Sequence, residues 1–217
     1  MSVPAPLPRP RLRGVLHQWA CAAFALAGLV LVLSAPTPRA TVVAVVYALA
    51  LCGLLGCSAL YHRVTWRPAA RRWMKRLDHS MIFVLIAGTY TPIALLVLED
   101  PLRTIVLGVV WGGALAGVAL QLAWVDVPRW LNVLVYVALG WVAIAVFPQL
   151  WTAAGAPAVV LLIAGGVLYT LGGLVYARRR PDPRPLSFGY HEVFHAFVIA
   201  AAVLHFVVIA AWVVPKG

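Results

Sequence analysis

Acidic residues are scarce in this sequence. Six Asp and Glu stand against seventeen Lys and Arg, and charged residues of both signs make up only 11% of the chain. That is too little charge to coat a water-soluble globule of 217 residues, because charged side chains supply about a quarter of an ordinary soluble domain. Cysteine is also sparse. Cys21, Cys52 and Cys57 all fall inside apolar runs, which excludes a disulfide framework and leaves them as small packing residues. No internal repeat divides the chain, and its length fits one domain.

Apolar residues, by contrast, make up 64% of the chain, above the roughly 45–50% of soluble domains. They fall in runs of about 18 to 22 residues, the length that crosses a bilayer as a helix. The runs lie at about 16–33, 41–62, 79–98, 102–121, 130–147, 157–177 and 191–213, separated by breakers and charges such as APTPRA, EDPLR and RRRPDPRPLSFGY. The fold class is therefore all-α, an integral membrane bundle of seven transmembrane helices forming one domain over 16–214. Residues 1–15, rich in Pro and Arg, carry no periodic pattern and are expected to be a disordered tail. The first run also has features of a secretory signal, with basic residues before it and small residues near Ala35 and Ala40; its length favours a retained helix.

A net charge of +11 raises nucleic-acid binding, but the cations sit in the short gaps between apolar runs, where membrane topology places them. No nucleic-acid partner is expected. Assigning the gaps to alternating sides gives fourteen Lys and Arg on the side of the N-terminus; the other side holds only Arg39, Arg103 and Lys216. Cytoplasmic loops carry the excess, so the N-terminus is expected in the cytoplasm and the C-terminus outside. The bias to Ala, Arg and Pro suits a bacterial genome of high GC content and a plasma-membrane location. The sequence sets no oligomeric state.

With that topology, five polar residues far apart in sequence fall at one depth. Ser58 and His62 end the second run, Asp78 opens the third, and His191 and His195 open the seventh. An ionisable cluster facing a bundle interior is a functional candidate. His191 and His195 are spaced i, i+4, so their imidazoles stack on one helix face about 5–6 Å apart, and His62 could supply a third nitrogen. Three imidazoles leave the fourth position of a zinc ion open to water, as catalytic sites do. Asp78 could accept that water's proton. Ser58, one turn before His62, could orient Asp78 or polarise a carbonyl. A lone histidine at a membrane boundary is more often interfacial than ligating, and a serine in a membrane helix often bonds its own i−4 carbonyl. The joint pattern favours metal, because unpaired His and Asp on packed helices are costly without a shared role.

Other polar residues carry less weight. His79 points about 100° away from Asp78 and is expected as a supporting or interface residue. His205 lies roughly 21 Å along the helix from His191, too far to join the cluster, and His17 is expected at the interface. Trp19, Trp73, Trp130 and Trp212 fit an aromatic belt. HEVFH at 191–195 matches the H-E-x-x-H pattern of zinc proteases, whose Glu is the general base. Here the motif opens the last run and no acidic residue follows, so Glu192 is expected as a supporting or exposed residue.

The sets Ser58-Ala-Leu-Tyr-His62, Leu77-Asp78-His79-Ser80, Ala87-Gly88-Thr89-Tyr90-Thr91-Pro92 and His191-Glu192-Val193-Phe194-His195, in this order and spacing, resemble the signature of bacterial hemolysin III-like proteins. These belong to the progestin and adipoQ receptor (PAQR) family, in a superfamily with the alkaline ceramidases. The resemblance covers nearly the whole chain. It implies a seven-helix fold with a cytoplasmic N-terminus, zinc on His62, His191 and His195, and Ser58 and Asp78 beside the metal-bound water. Three functions follow as expectations. The first is membrane-lipid homeostasis through zinc-dependent hydrolysis of a lipid amide, with a membrane lipid as substrate or ligand. The second is a non-catalytic lipid sensor or receptor with structural zinc, and the third is a pore-forming cytolysin. The nearly polar-free helices argue against a pore, and an open three-histidine site beside a carboxylate argues for hydrolysis.

Overall fold

The computed structural model describes residues 10–217. Its elements are α1 (Val15–Leu33), α2 (Pro38–Arg63), α3 (Pro68–Leu96), α4 (Leu102–Ala123), α5 (Arg129–Gly140), α6 (Phe147–Arg178) and α7 (Tyr190–Val208). A 3-10 turn, Trp141–Ala145, extends α5, and a π turn and a 3-10 turn carry α7 on to Lys216. Among the described residues, six helices are long and apolar enough to cross a membrane, so the protein is an all-α, multi-pass membrane bundle.

Local chemistry sets the helix ends. The Thr37 hydroxyl caps α2 by accepting the Ala40 amide at 3.1 Å, with Pro38 preset at the first helical position. The gap expected between the second and third runs is instead largely helix: Pro68 starts α3, and Ala69, Ala70, Arg71, Arg72, Met74 and Lys75 are helix formers that extend it before the membrane is reached. The run expected at 130–147 forms the shorter apolar helix Arg129–Ala145. At about 1.5–2 Å per residue it reaches roughly 28 Å, just under the roughly 30 Å hydrocarbon core. α6 begins ten residues before the expected 157 and is broken at Gly155, whose φ of 78° and ψ of 176° leave the helical region; only glycine adopts that conformation without strain.

Of the tail expected over 1–15, the first nine residues lie outside the described residues. For residues 10–14 the expectation is corrected. The Arg11 and Leu12 amides donate to the carbonyls of Leu186 and Ser187 at 3.1 and 3.2 Å, tying this segment to the loop before α7.

Burial runs opposite to that of a soluble protein. Leu26, Leu33, Leu49, Leu115 and Leu134 point outward, while His17, Ser58, Thr91, Gln121, Asn132, Glu192 and His195 are buried. One apolar cluster joins α3 and α4 with α5 and α6, and a second joins α1, α2 and α7. A cavity of about 1130 Å³ lies between them and is lined, among these buried polar residues, by His17, Ser58, Asn132 and His195.

Candidate metal centre

The structure brings three of the five candidates to one point. One ligand nitrogen from each of His62, His191 and His195 lies within 4.8 Å of the other two, and the Nε2 atoms of His62 and His191 are 3.0 Å apart. His62 comes from the last turn of α2, at the arginine-rich end of the bundle. His191 and His195 come from the first turns of α7, whose start is capped by Glu192: the Gly189 amide donates to its Oε2 at 2.8 Å. The cap sets where the i, i+4 pair points.

This set suits a divalent metal. Imidazole nitrogens bound to one tetrahedral zinc stand about 3.4 Å apart, a spacing that small side-chain rotations reach from the observed one. Two facing Nε2 atoms at 3.0 Å need a shared proton or cation between them, and His195 Nδ1 is buried without a hydrogen-bond partner. Such unsatisfied buried groups call for an explanation, and the three histidines can coordinate a metal ion.

Asp78 is the nearest carboxylate. Its Oδ2 is 3.9 Å from His62 Nε2 and 3.7 Å from His79 Nδ1, and the Ser58 hydroxyl, buried in α2, lies against it. Both line the same cavity as the three histidines. At 3.9 Å the carboxylate is just beyond direct hydrogen bonding to His62. His79 is a supporting residue, as expected: its Nδ1 pairs with the Lys75 carbonyl at 2.9 Å and its Nε2 faces the Tyr176 hydroxyl at 3.4 Å.

One expectation is overturned, and of the two readings of Glu192 the exposed one falls. His17 is not interfacial; it is buried, and its ring stacks on His195 with centroids 3.7 Å apart and planes 10° apart. Its place at the arginine-rich start of the first run was the signal available, since that is the depth of the other histidines. Glu192 is not exposed; it is fully buried and pairs with Arg13 Nε at 2.6 Å. With both its oxygens engaged, one by the helix cap and one by Arg13, it is poorly placed to act as a base. Gly14 is a further residue the sequence did not single out. It adopts a φ of +79°, and a Cβ there would sit 2.7 Å from His62 Cβ. Only glycine lets the chain turn so close to the cluster.

With this geometry in view, comparison with known proteins is informative. Residues 6–206 match the family described as Haemolysin-III related. The chain belongs to that family. Among its relatives, Hemolysin-3 of Bacillus cereus is 30% identical over 181 residues, covering 83% of this chain and 80% of that protein. The Hemolysin-3 homolog of Bacillus subtilis is 32% identical over 149 residues, 69% of this chain and 67% of its own length. The similarity extends to Monocyte to macrophage differentiation factor of Homo sapiens, 24% identical over 165 residues, 74% of this chain and 66% of the human protein. As a haemolysin-III family member with these bacterial relatives and these apolar helices, the protein is a multi-pass protein of the bacterial plasma membrane.

Proposed function

We propose that this haemolysin-III family protein is a zinc-dependent hydrolase acting in membrane-lipid homeostasis, cleaving an acyl bond such as the amide of a ceramide-like lipid. The observation that carries the reading is the opening of a three-imidazole cluster, with a carboxylate beside it, onto a cavity of about 1130 Å³. His62, His191 and His195 would hold the zinc, which when bound polarises a carbonyl and makes water a nucleophile near neutral pH. Asp78 would take the proton from the attacking water and pass it to the leaving amine, so that the acyl carbon gains the hydroxyl and the C–N bond breaks to give a carboxylate and an amine. Ser58 would hold the Asp78 carboxylate in place or donate to the developing oxyanion. In this reading Arg129–Ala145 is a seventh span, the N-terminus is cytoplasmic and the C-terminus outside, the PAQR and ceramidase-like arrangement.

A membrane lipid as substrate is supported by a second, apolar groove between α5 and α6. Trp130, Val133, Val137, Thr170 and Ala177 line both it and the main cavity. Leu134 and Leu174, also in the groove, face outward. A structural role for the metal is the second reading, favoured by the position of the cluster where α1, α2 and α7 meet. The haemolytic activity suggested by the relatives' names would need a polar path through the bundle, and the deep cavity wall is made of residues such as Leu85, Ile93, Phe147 and Leu162.

Metal analysis by mass spectrometry on detergent-purified protein tests the proposal. It should find about one zinc per chain, lost in His62→Ala, His191→Ala and His195→Ala, and the zinc-loaded protein should release fatty acid from lipid amides. Well-folded wild-type protein without zinc would sink the hydrolase reading. Zinc without turnover on any ceramide or other lipid amide would leave the structural role.

A further inference from the structure

Most arginines at the arginine-rich end, including Arg63, Arg67, Arg72, Arg76, Arg178 and Arg180, do not line the cavity. These suffice for a topological role. Five cations do line it: Arg13, Arg71, Lys75, Arg129 and Arg179. Arg13 pairs with Glu192 and Lys75 pairs with Asp126 at 2.8 Å, and Arg179 is exposed at the end of α6. Arg71 and Arg129 remain, both half-buried and neither within ion-pair distance of a carboxylate among the described residues.

Both guanidiniums are held on aromatic rings beside the histidines. Arg71 lies over Tyr61 at 5.3 Å, and the Tyr61 ring is 4.6 Å from that of His62. Arg129 lies over Tyr176 at 5.2 Å, and the Tyr176 ring is 5.8 Å from that of His191. Each guanidinium is thus one ring away from the cluster, on a different side. Arg71 Nη1 is buried with no hydrogen-bond partner, and Arg129 has one, the Tyr190 hydroxyl at 3.1 Å. Tyrosine faces attract a guanidinium but supply no counter-charge, and buried charges are ordinarily paired.

We propose that Arg71 and Arg129 form a phosphate subsite beside the histidine cluster, taking the phosphate of a lipid whose acyl chain runs into the cavity. Guanidinium forks match phosphate oxygens in pairs, and two uncompensated positive charges match the charge of a phosphate monoester, roughly −1.5 to −2, better than that of a single carboxylate. The apolar wall past Leu85, Ile93 and Phe147 accommodates the chain. The ligand's reacting bond then lies within a few atoms of its phosphate, so among acyl lipids the site favours those that carry a phosphate. The placement beside the histidines rests on the hydrolase reading; the binding itself does not.

Binding is measured on purified protein in nanodiscs of zwitterionic lipid, by tryptophan fluorescence, with three probes: short-chain phosphatidic acid, the diacylglycerol of the same chains, and inorganic phosphate. The phosphatidic acid should bind at least about tenfold more tightly than the diacylglycerol, and Arg71→Gln and Arg129→Gln should each remove about tenfold of that affinity. Arg72→Gln and Arg178→Gln, at the same membrane face but off the cavity, should bind as wild type does. Inorganic phosphate binding as tightly as the phosphatidic acid and lost in the same two variants would keep the phosphate subsite and assign it to free phosphate. Equal binding of phosphatidic acid and diacylglycerol by wild type, a comparison that needs no variant to fold, would overturn the proposal. So would wild-type affinity in both cavity variants. Zinc loss in His191→Ala with phosphatidic-acid binding intact separates this subsite from the hydrolase reading, because the first can stand where the second fails.

Discussion

Helix α7 carries histidines in two settings, and the contrast between them shows what a protein-satisfied histidine looks like beside one that is not. His205 finds its partner within the protein. Its Nε2 pairs with the Leu162 carbonyl at 3.1 Å, its ring packs on Tyr169 at 5.4 Å, and Gly165 leaves the space it fills, since a Cβ there would come within 2.3 Å of the ring. About three to four turns earlier, His191 and His195 meet His62 and His17, with the Nε2 atoms of His62 and His191 facing each other. His195 Nδ1 and both nitrogens of His17 have no partner. The same residue type on the same helix is thus used once as a packing element and once in a group whose hydrogen bonds the protein leaves open.

Removing a histidine from the open group should have the largest effect. Added zinc should raise the thermal midpoint of the wild type, since a ligand that binds only the folded state stabilises it, and His195→Ala should abolish that response together with metal content. Asp78→Ala should keep most of the metal and lower lipid hydrolysis by about 10²- to 10⁴-fold, the range for a proton-transfer group. If this variant lost zinc as completely as His195→Ala, Asp78 would be reassigned as a direct ligand. His205→Leu should keep the zinc response in full and cost about 1–2 kcal/mol in denaturant unfolding, the worth of one buried hydrogen bond; a lost zinc response there would erase the distinction between the two settings. The smallest effect is expected outside the membrane. The hydrogen bond and charge of Lys75 hold the Asp126 carboxyl below its ordinary value. A depressed carboxylate contributes above its ordinary pKa, and that contribution fades as pH falls through the lowered one. Asp126 is 85% exposed, so salt screens the pair, and Asp126→Asn should leave the thermal midpoint unchanged at neutral pH and high salt.

Much of this arrangement was legible in the sequence because hydropathy and loop charge report depth. Depth alone put Ser58, His62, Asp78, His191 and His195 at one level, and the structure gathers them around one cavity. Depth says nothing of azimuth. Whether His17 faces lipid or His195 depends on the rotation of α1 against α7, which no hydropathy pattern encodes, so a buried stacked ring was read as interfacial. The choice between a supporting and an exposed Glu192 stayed open for a related reason: its partner Arg13 lies in a segment without periodicity, and pairing across that distance leaves no local trace. The short helix at Arg129–Ala145 and the break at Gly155 were blurred because one apolar stretch reads much like another until a backbone angle interrupts it.

Stretches far apart in the sequence meet at this site. Arg13 and His17, just before and at the start of α1, rest on Glu192 and His195 of α7, and His62 and His191 are 129 residues apart. During synthesis α1 and α2 leave the ribosome with Arg13 unpaired and His62 alone, and the three-histidine cluster forms only when α7 has followed them into the membrane. Assembly of the cluster therefore reports the arrival of α7. A protein stalled before that helix lacks two of the three histidines, which ties formation of the cluster to a late step of membrane insertion.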